Sequence, residues 1–244
     1  PYNLGGQVNQ NRTIELAQGE YFKLAAHDDL LAPEFLEKCV AVLEHNPSVV
    51  LAYPKTKVID QNGSFLASNE DYVQSTNANQ KMRTELEKTH ERFHDLSCNL
   101  YSCYQIFGVM RTSALKSIPS FGSYAGSDKA FLARISLLGR YHQLPDYLFF
   151  LRRHSGQSIN IGIRSCYLYN IWYDTSNQGK IVLPAWMAIG EYLSAIRLSP
   201  LNLQDRIRCY LEVFNVMLVS SDRLIKDLFV ATLQVAERAI SDLM

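Results

Sequence analysis

Residues 3–36 read NLGGQVNQNRTIELAQGEYFKLAAHDDLLAPEFL, and the order of their elements decides the fold. The glycine pair indicates a loop, and the polar segment after it predicts a short helix over residues 9–18. The mostly apolar residues 21–26 predict a short buried strand. Ligands bind beyond the carboxyl ends of strands in open α/β sheets, so we expect a ligand site at the His-Asp-Asp sequence of residues 27–29.

The alternation of helix and strand continues after this stretch, which predicts an α/β fold. Apolar spacing, β-branched runs and turn residues predict a helix from Pro33, a strand over residues 49–59, a returning strand over 64–66, a surface helix within 68–100, a helix over 128–138 and a strand pair around Pro145. From Cys166 onward the strand signals end, and three helices are predicted to begin at Pro184, Asn202 and Ser221. We therefore predict an α/β part over residues 1–165 and a helical extension over 166–244.

The composition is that of a globular chain, with 47% hydrophobic and 20% charged residues. Lys+Arg and Asp+Glu are both 24, and this zero net charge argues against a broad nucleic-acid-binding surface. No apolar run approaches the ~20 residues of a membrane-spanning helix, and no secretory leader is visible. The five cysteines are scattered without CxxC spacing, which favours a reducing, cytoplasmic setting.

Two sets of residues resemble family 2 glycosyltransferases. The family pattern is N-x-G, a spaced Asn, A-x-G-E-Y, a short apolar strand, an acidic motif and a later Pro, and here it corresponds to Asn3, Gly5, Asn11, residues 17–21, Asp28-Asp29 and Pro33. The second set resembles the second half of the family, and it comprises Gly126-Ser127-Asp128, Leu138-Gly139, Leu144-Pro145 and Leu151-Arg152-Arg153-His154. The resemblance covers roughly residues 1–160, and the helical tail is similar to extensions of some bacterial members.

This resemblance implies an α/β fold of the GT-A (Rossmann-like) class, with an N-terminally truncated core and a C-terminal helical extension. It further implies an inverting, nucleotide-sugar-dependent glycosyltransferase of the hexosyltransferase type, assisted by Mn²⁺ or Mg²⁺. A divalent cation held by one or two carboxylates and by the substrate phosphates neutralises the charge of a diphosphate. The family motif is usually D-x-D, and aligned on residues 19–21 it falls on Ala26, His27 and Asp28. Asp28 thus takes the metal-ligand role, and Ala26 departs from the pattern.

The resemblance also assigns roles to residues further along the chain. Asp128 matches the catalytic base, in the loop before a helix, although Ser127 replaces a frequent acidic neighbour. His154 corresponds to a histidine that faces the metal or the diphosphate, and Arg152 is suited to pair with phosphate oxygens. From the residues alone, Asp28-Asp29 and Asp128 are also suited to capping helices, and His154 to a solvent-exposed position.

The remaining candidates belong to the nucleotide-sugar pocket. Asn3, Gly5 and Asn11 are expected to shape a loop and cap a helix beside it. His27 is expected to contribute a nitrogen donor, and Asp29 lies next to the metal-binding Asp28. In the family, the strand that holds the base and ribose precedes the N-x-G element. Because this sequence starts at Pro1, close to that element, we expect part of the nucleotide-binding half to be missing and the strand over residues 21–26 to have an open edge.

Two functions from different classes follow. The first is an enzyme of polysaccharide biosynthesis that uses a nucleotide-diphosphate sugar and a glycan or lipid-linked acceptor. The alternative is a non-catalytic fragment or partner-binding remnant of a glycosyltransferase. We expect a cytoplasmic protein without nucleic-acid partners, and peripheral contact with the inner face of the membrane stays open. The sequence indicates no oligomeric state.

Overall fold

The computed structural model describes residues 2–66, 82–100, 102–158, 160–161 and 165–241 of the 244 residues. Its strands are β1 (Tyr21–Lys23), β2 (Leu30–Leu31), β3 (Val49–Ile59), β4 (Val109–Arg111) and β5 (Arg140–Arg152). Its helices are α1 (Gly6–Leu16), α2 (Phe35–His45), α3 (Thr89–His94), α4 (Thr112–Lys116), α5 (Ser127–Ser136), α6 (Cys166–Tyr173), α7 (Pro184–Leu198), α8 (Leu203–Val219) and α9 (Ser221–Ser241). Short 3-10 segments (Arg83–Glu85, Tyr104–Phe107 and Thr175–Asn177) and a π-helical turn (Asp95–Asn99) connect them.

The strands form one mixed sheet in the order β1-β4-β3-β5-β2. β3 and β5 run parallel, with Val49 opposite Arg140 and Ile59 opposite Arg152, and the other neighbours are antiparallel. β3 is mostly buried, as expected for a central strand rich in Val, Ile and Leu. Among the described strands, β1 pairs only with β4 and lies at one edge of the sheet. The α/β prediction is confirmed.

The strand pair predicted around Pro145 is wrong, because β5 is one strand of 13 residues. Its register against β3 shifts between Pro54, which pairs with Leu144, and Lys55, which pairs with Tyr147. The bulge therefore takes up Pro145 and Asp146, and a proline that has no N–H to donate is tolerated at such a position. The predicted returning strand over residues 64–66 is reduced to a single bridge between Ile59 and Phe65.

The surface helix predicted within residues 68–100 is also wrong, although residues 67–81 lie outside the described part. α3 and the π-helical turn bury Phe93 and Leu96 completely. Arg92 is buried as well, and its guanidinium donates to the backbone carbonyls of Ser136, Leu86 and Glu87 at 3.1, 2.7 and 2.6 Å. The charged residues of this segment predicted an exposed helix, but the segment is part of the core. A buried arginine is tolerated when its N–H groups are paired.

The C-terminal helices pack onto the α/β part. The ring of Tyr192 in α7 meets the ring of Phe93 edge-to-face, with 5.4 Å between centroids. Arg134 of α5 pairs with Glu191 of α7 at 3.5 Å, and both side chains are largely buried. The main apolar cluster thus contains residues from both sides of position 165. The domain boundary at that position stays a prediction. Within the described residues, no helix combines the length and apolarity that crossing a bilayer requires.

Candidate functional site

Asp28 and His154 come together at one end of the sheet. Asp28 lies in the loop between β1 and β2, and His154 follows β5 by two residues. The Oδ2 atom of Asp28 lies 2.9 Å from Nε2 of His154, and both side chains are partly buried. Burial acts to raise the pKa of Asp28, but the hydrogen bond with His154, a backbone hydrogen bond and the nearby histidines hold it below its ordinary value. Asp28 therefore stays ionised near neutral pH.

The neighbours of this pair are used to hold the loop in place. Oδ1 of Asp29 accepts the backbone N–H of Arg152 at 2.8 Å, and burial raises the pKa of Asp29. The Arg152 guanidinium donates to the backbone carbonyls of Asp28, Asp60 and Gln61 at 2.7, 3.1 and 2.9 Å. These contacts tie the acidic loop to the turn after β3. They give Asp29 and Arg152 a positioning function, whatever further contact either makes with a ligand.

The donor atoms at this end of the sheet suit a divalent cation that also binds phosphate. Asp28 supplies a carboxylate and His154 an imidazole, a combination that Mn²⁺ accepts. The side chain of His27 is 94% exposed, and its Nδ1 lies 4.0 Å from Oδ1 of Asp28. In the described part of the chain, no group of three or more His, Cys, Asp and Glu residues is arranged to hold a metal ion. Two protein ligands fit a cation whose other ligands are phosphate and water oxygens.

Asp128 lies in the first turn of α5, directly after Gly126 and Ser127. Its Oδ2 accepts a long hydrogen bond of 3.4 Å from the hydroxyl of Tyr173. Its Oδ1 is buried and has no hydrogen-bond partner among the described residues. Burial raises the pKa of Asp128 from 3.8 to about 6, although the hydrogen bond from Tyr173 opposes this rise. A carboxylate with this pKa and one unpaired oxygen is suited to take up a proton.

Residues that the sequence reasoning missed hold Asp128 in place. Tyr173 lies in α6, beyond the region of family resemblance, and packs edge-to-face on Tyr169 with ring centroids 5.0 Å apart. Gln7 is buried in α1 and accepts a 3.3 Å hydrogen bond from the Ser127 hydroxyl. The sequence did not indicate that Gln7, a polar residue in the first turn of α1, is buried. It also did not indicate that Tyr173, in the aromatic segment of α6, contacts Asp128.

The Asn-Gly element at the start of the chain supports the same region. Oδ1 of Asn3 accepts the backbone N–H of Gly5 at 2.9 Å. Gly5 has a φ of 101°, and a Cβ atom there would overlap the carbonyl group of Tyr173. Asn11 holds the backbone of Phe121, since its Nδ2 donates to the Phe121 carbonyl at 3.1 Å and its Oδ1 accepts the Phe121 N–H at 2.9 Å. All three residues shape the loops around Asp128.

A cavity of about 620 Å³ opens beside Asp128. Its walls come from α5, the π-helical turn and helices α6 to α9, and Asp28 and His154 are not among them. The two parts of the site are joined through the segment after His154. Ser158 hydrogen-bonds to the hydroxyl of Tyr169, whose ring packs on Tyr173. Residues 154–158 and the side chains of Tyr169 and Tyr173 thus connect the acidic loop to Asp128. The cavity lies on the side of Asp128 that faces the helical extension.

The sheet carries an acidic loop after an edge strand and an acidic residue in the first turn of a helix. The model of the family described as "Glycosyl transferase family 2" matches residues 1–118. That segment, nearly half of the chain, belongs to family 2 of the glycosyltransferases, and glycosyl transfer is the general activity of the family.

Two known proteins are similar to parts of this chain. The chain is 33% identical over 64 residues to "Uncharacterized glycosyltransferase MJ1057" of Methanocaldococcus jannaschii, a match over 26% of this chain and 22% of that protein. A crystal structure of S. aureus TarS 1-349 superposes with a TM-score of 0.53 at 17% identity, covering 87% of this chain and 51% of that one. This likeness concerns the fold alone and confirms the GT-A expectation. The matches therefore span about a fifth and about half of the lengths of these two relatives.

Proposed function

We propose that this chain transfers a sugar from a nucleotide-diphosphate sugar to a hydroxyl group of an acceptor, with inversion at the anomeric carbon. One observation carries the proposal above all. Asp128 has a raised pKa and a buried oxygen without a partner in the described structure, and it lines a cavity large enough for an acceptor. The family assignment of residues 1–118 supports glycosyl transfer as the reaction.

In the proposed reaction, the acceptor oxygen forms a bond to C1 of the sugar while the bond between C1 and the phosphate oxygen breaks. The electron pair of that bond leaves with the nucleoside diphosphate. The proton of the acceptor hydroxyl passes to Oδ1 of Asp128. With a pKa of about 6, Asp128 is mostly ionised at pH 7 and binds a proton more strongly than an ordinary aspartate does. A single displacement of this kind inverts the anomeric centre.

We further propose that Asp28 and His154 hold a divalent cation, Mn²⁺ or Mg²⁺, together with the diphosphate. The 2.9 Å contact between Asp28 and His154 and the lowered pKa of Asp28 support this assignment. When bound, the cation would neutralise charge on the leaving diphosphate. The chain itself orients the two proposed metal ligands, Asp28 and His154. Arg152 helps to orient Asp28, because its guanidinium binds the backbone carbonyl of Asp28.

The proposal extends to partners and location. A base that accepts the proton of a hydroxyl group is compatible with a glycan or lipid-linked acceptor and with a role in polysaccharide biosynthesis. Hexoses are the proposed donor sugars. We place the reaction in the cytoplasm, with peripheral contact at the inner face of a membrane for a lipid-linked acceptor.

A second candidate is a non-catalytic remnant of a glycosyltransferase that binds a partner. Two observations favour it. Ala26 occupies the position of the first acidic residue of the family motif. The cavity beside Asp128 has neither Asp28 nor His154 in its walls.

Turnover of a nucleotide-sugar panel with Mn²⁺ or Mg²⁺ separates the two candidates, with release of nucleoside diphosphate as the readout. If the chain is a transferase, turnover should fall by at least two orders of magnitude in Asp128→Asn. Asp146→Asn is the matched control, since Asp146 forms only a half-exposed ion pair with Lys38 at 3.1 Å. Turnover unchanged in Asp128→Asn would contradict the assigned base, and absence of turnover with every donor would favour the remnant.

A further inference from the structure

Helix α8 is apolar on two opposite sides. One side contains Cys209, Val213 and Val216, which are buried against the rest of the chain. The other side carries six large side chains that remain exposed, namely Leu203, Ile207, Tyr210, Leu211, Phe214 and Leu218. With 3.6 residues per turn, these six positions form one stripe that points away from the buried side. A helix that is apolar on both sides is typical of an element with packing partners on both sides.

Helix α9 adds a second exposed apolar surface. Its start is held to α7, because Leu224 is buried and its backbone carbonyl accepts the indole N–H of Trp186 at 3.1 Å. The turns that follow expose further large side chains, namely Ile225, Leu228, Phe229, Leu233 and Val235. Only Ser220 separates α8 from α9. The exposed apolar residues of both helices are called the α8–α9 face below.

The α8–α9 face is larger than the apolar patch of a few hundred Å² that a soluble monomer usually exposes. Ile207, Leu211, Phe214 and Leu218 are each between 51% and 59% exposed. At ~150–250 Å² for a large side chain, the six residues of α8 leave roughly 500–800 Å² of surface open on one copy. Two such stripes in contact would bury about 1,000–1,600 Å², which is comparable to stable specific interfaces of ~1,200–2,000 Å² before α9 is counted.

The spacing within α8 favours another helix as the partner. Ile207, Leu211, Phe214 and Leu218 follow one another at intervals of four, three and four residues. This is the a/d repeat of helices that pack side by side, in which each apolar side chain fits between those of the facing helix. Residues 67–81 of this chain do not offer a matching surface, because their only large apolar residues are Tyr72 and Val73.

The charges of the two helices favour a second copy over a membrane. α8 carries two acidic and two basic residues, which are Asp205, Glu212, Arg206 and Arg208. α9 carries three of each sign, which are Asp222, Asp227, Glu237, Arg223, Lys226 and Arg238. A helix that lies on an anionic bilayer carries an excess of Lys and Arg on its polar side. Helices without net charge can instead meet identical helices without net repulsion.

We propose that the α8–α9 face binds the same face of a second copy of this chain, with α8 packed against α8 about a two-fold axis. In a two-fold contact both copies use the same patch, so one self-complementary apolar stripe is sufficient. The helical extension is then the dimerisation element of the protein. The proposal does not rest on the proposed function, because no donor, acceptor or metal takes part in the contact.

The test is sedimentation velocity of the full chain between about 0.5 and 50 μM. We expect a reversible dimer with twice the 27.8 kDa of one chain and a dissociation constant of about 1 μM or less. Raising the salt concentration from about 0.15 to 0.5 M should leave the dimer intact, because screening acts on charges and not on apolar contacts. A chain that remains monomeric at 50 μM would overturn the proposal.

Substitutions locate the contact on α8. Leu211→Gln/Phe214→Gln should raise the dissociation constant at least a hundredfold, whereas Leu211→Met/Phe214→Met should keep the dimer, because it keeps the stripe apolar. The matched control is Leu16→Gln/Phe65→Gln, since these side chains lie outside the helical extension and are 61% and 59% exposed. Far-UV circular dichroism of each variant checks that it is folded. A folded Leu211→Gln/Phe214→Gln variant that still forms the dimer would contradict the assigned surface.

A second measurement examines the membrane as the alternative partner. The full chain is sedimented with vesicles of phosphatidylcholine and phosphatidylserine, and we expect it to remain in the supernatant as a dimer. Vesicle binding that is lost in Leu211→Gln/Phe214→Gln would assign the α8–α9 face to a bilayer and overturn the proposal. Because neither assay contains a nucleotide sugar, a failed dimer leaves the proposed function untouched, and a protein without turnover can still form the dimer.

Discussion

Replacing Asp128 with asparagine should stabilise the protein while it removes activity. The pKa of Asp128 is raised from 3.8 to about 6 because the folded protein buries its carboxylate. In the unfolded chain the group ionises with its ordinary pKa, so the folded state binds more protons between about pH 4 and pH 6. The free energy of unfolding therefore falls as the pH rises through that interval. Asparagine is neutral at every pH and avoids this loss.

The size of the effect follows from the shift. Two pKa units correspond to about 3 kcal/mol, which is an upper bound for Asp128→Asn at pH 7.5. Because the amide leaves an N–H group in place of an unpaired oxygen, we expect a net gain of about 1–2 kcal/mol. That gain corresponds to roughly 2–8 °C in melting temperature for a chain of this size.

The assay is urea unfolding at pH 4 and at pH 7.5, with Asp146→Asn as the control. Asp128→Asn and the unsubstituted protein should have similar free energies of unfolding at pH 4, and Asp128→Asn should be the more stable of the two at pH 7.5. The control should change stability by less than about 0.5 kcal/mol at either pH. Destabilisation of Asp128→Asn by an equal amount at both values would refute the reasoning, because it would make Asp128 a structural hydrogen-bonding group.

Three other predictions concern the same site. Tyr173→Phe removes the hydrogen bond that opposes the effect of burial, so the pKa of Asp128 should rise. The acid limb of the pH–rate profile should then move to higher pH, and an unchanged limb would argue against contact between Tyr173 and Asp128 in solution. Gly5→Ala should lower the free energy of unfolding by about 2–4 kcal/mol, because of a positive φ and overlap with backbone, whereas Gly63→Ala, with a φ of 88° and space for a Cβ, should cost clearly less in the same urea titration. His154→Ala should weaken Mn²⁺ binding in the presence of UDP by about tenfold or more in titration calorimetry, and unchanged affinity would remove the residue from the metal site.

The α/β alternation could be predicted from the sequence because it depends on local patterns. The β-branched run of β3 was predicted with its bounds, since a buried central strand needs an unbroken apolar segment. The side chain of Asn202 accepts the backbone N–H of Asp205 at 2.8 Å, which is the capping contact expected at the start of α8. β5 could not be predicted as one strand, because pairing across the bulge at Pro145 depends on β3.

The residues of the candidate site could likewise be predicted in part from the sequence, whereas their contacts could not. The sequence by itself singled out Asp28, Asp128 and His154, because their order and spacing resemble those of family 2 glycosyltransferases. Only the tertiary structure decided that Asp28 meets His154, that Tyr173 reaches Asp128, and that a cavity lies between α5 and α9. The reason is physical: residue type and local pattern are encoded within a few positions. A hydrogen bond across 126 residues or a buried carboxylate oxygen without a partner arises only when distant segments pack together.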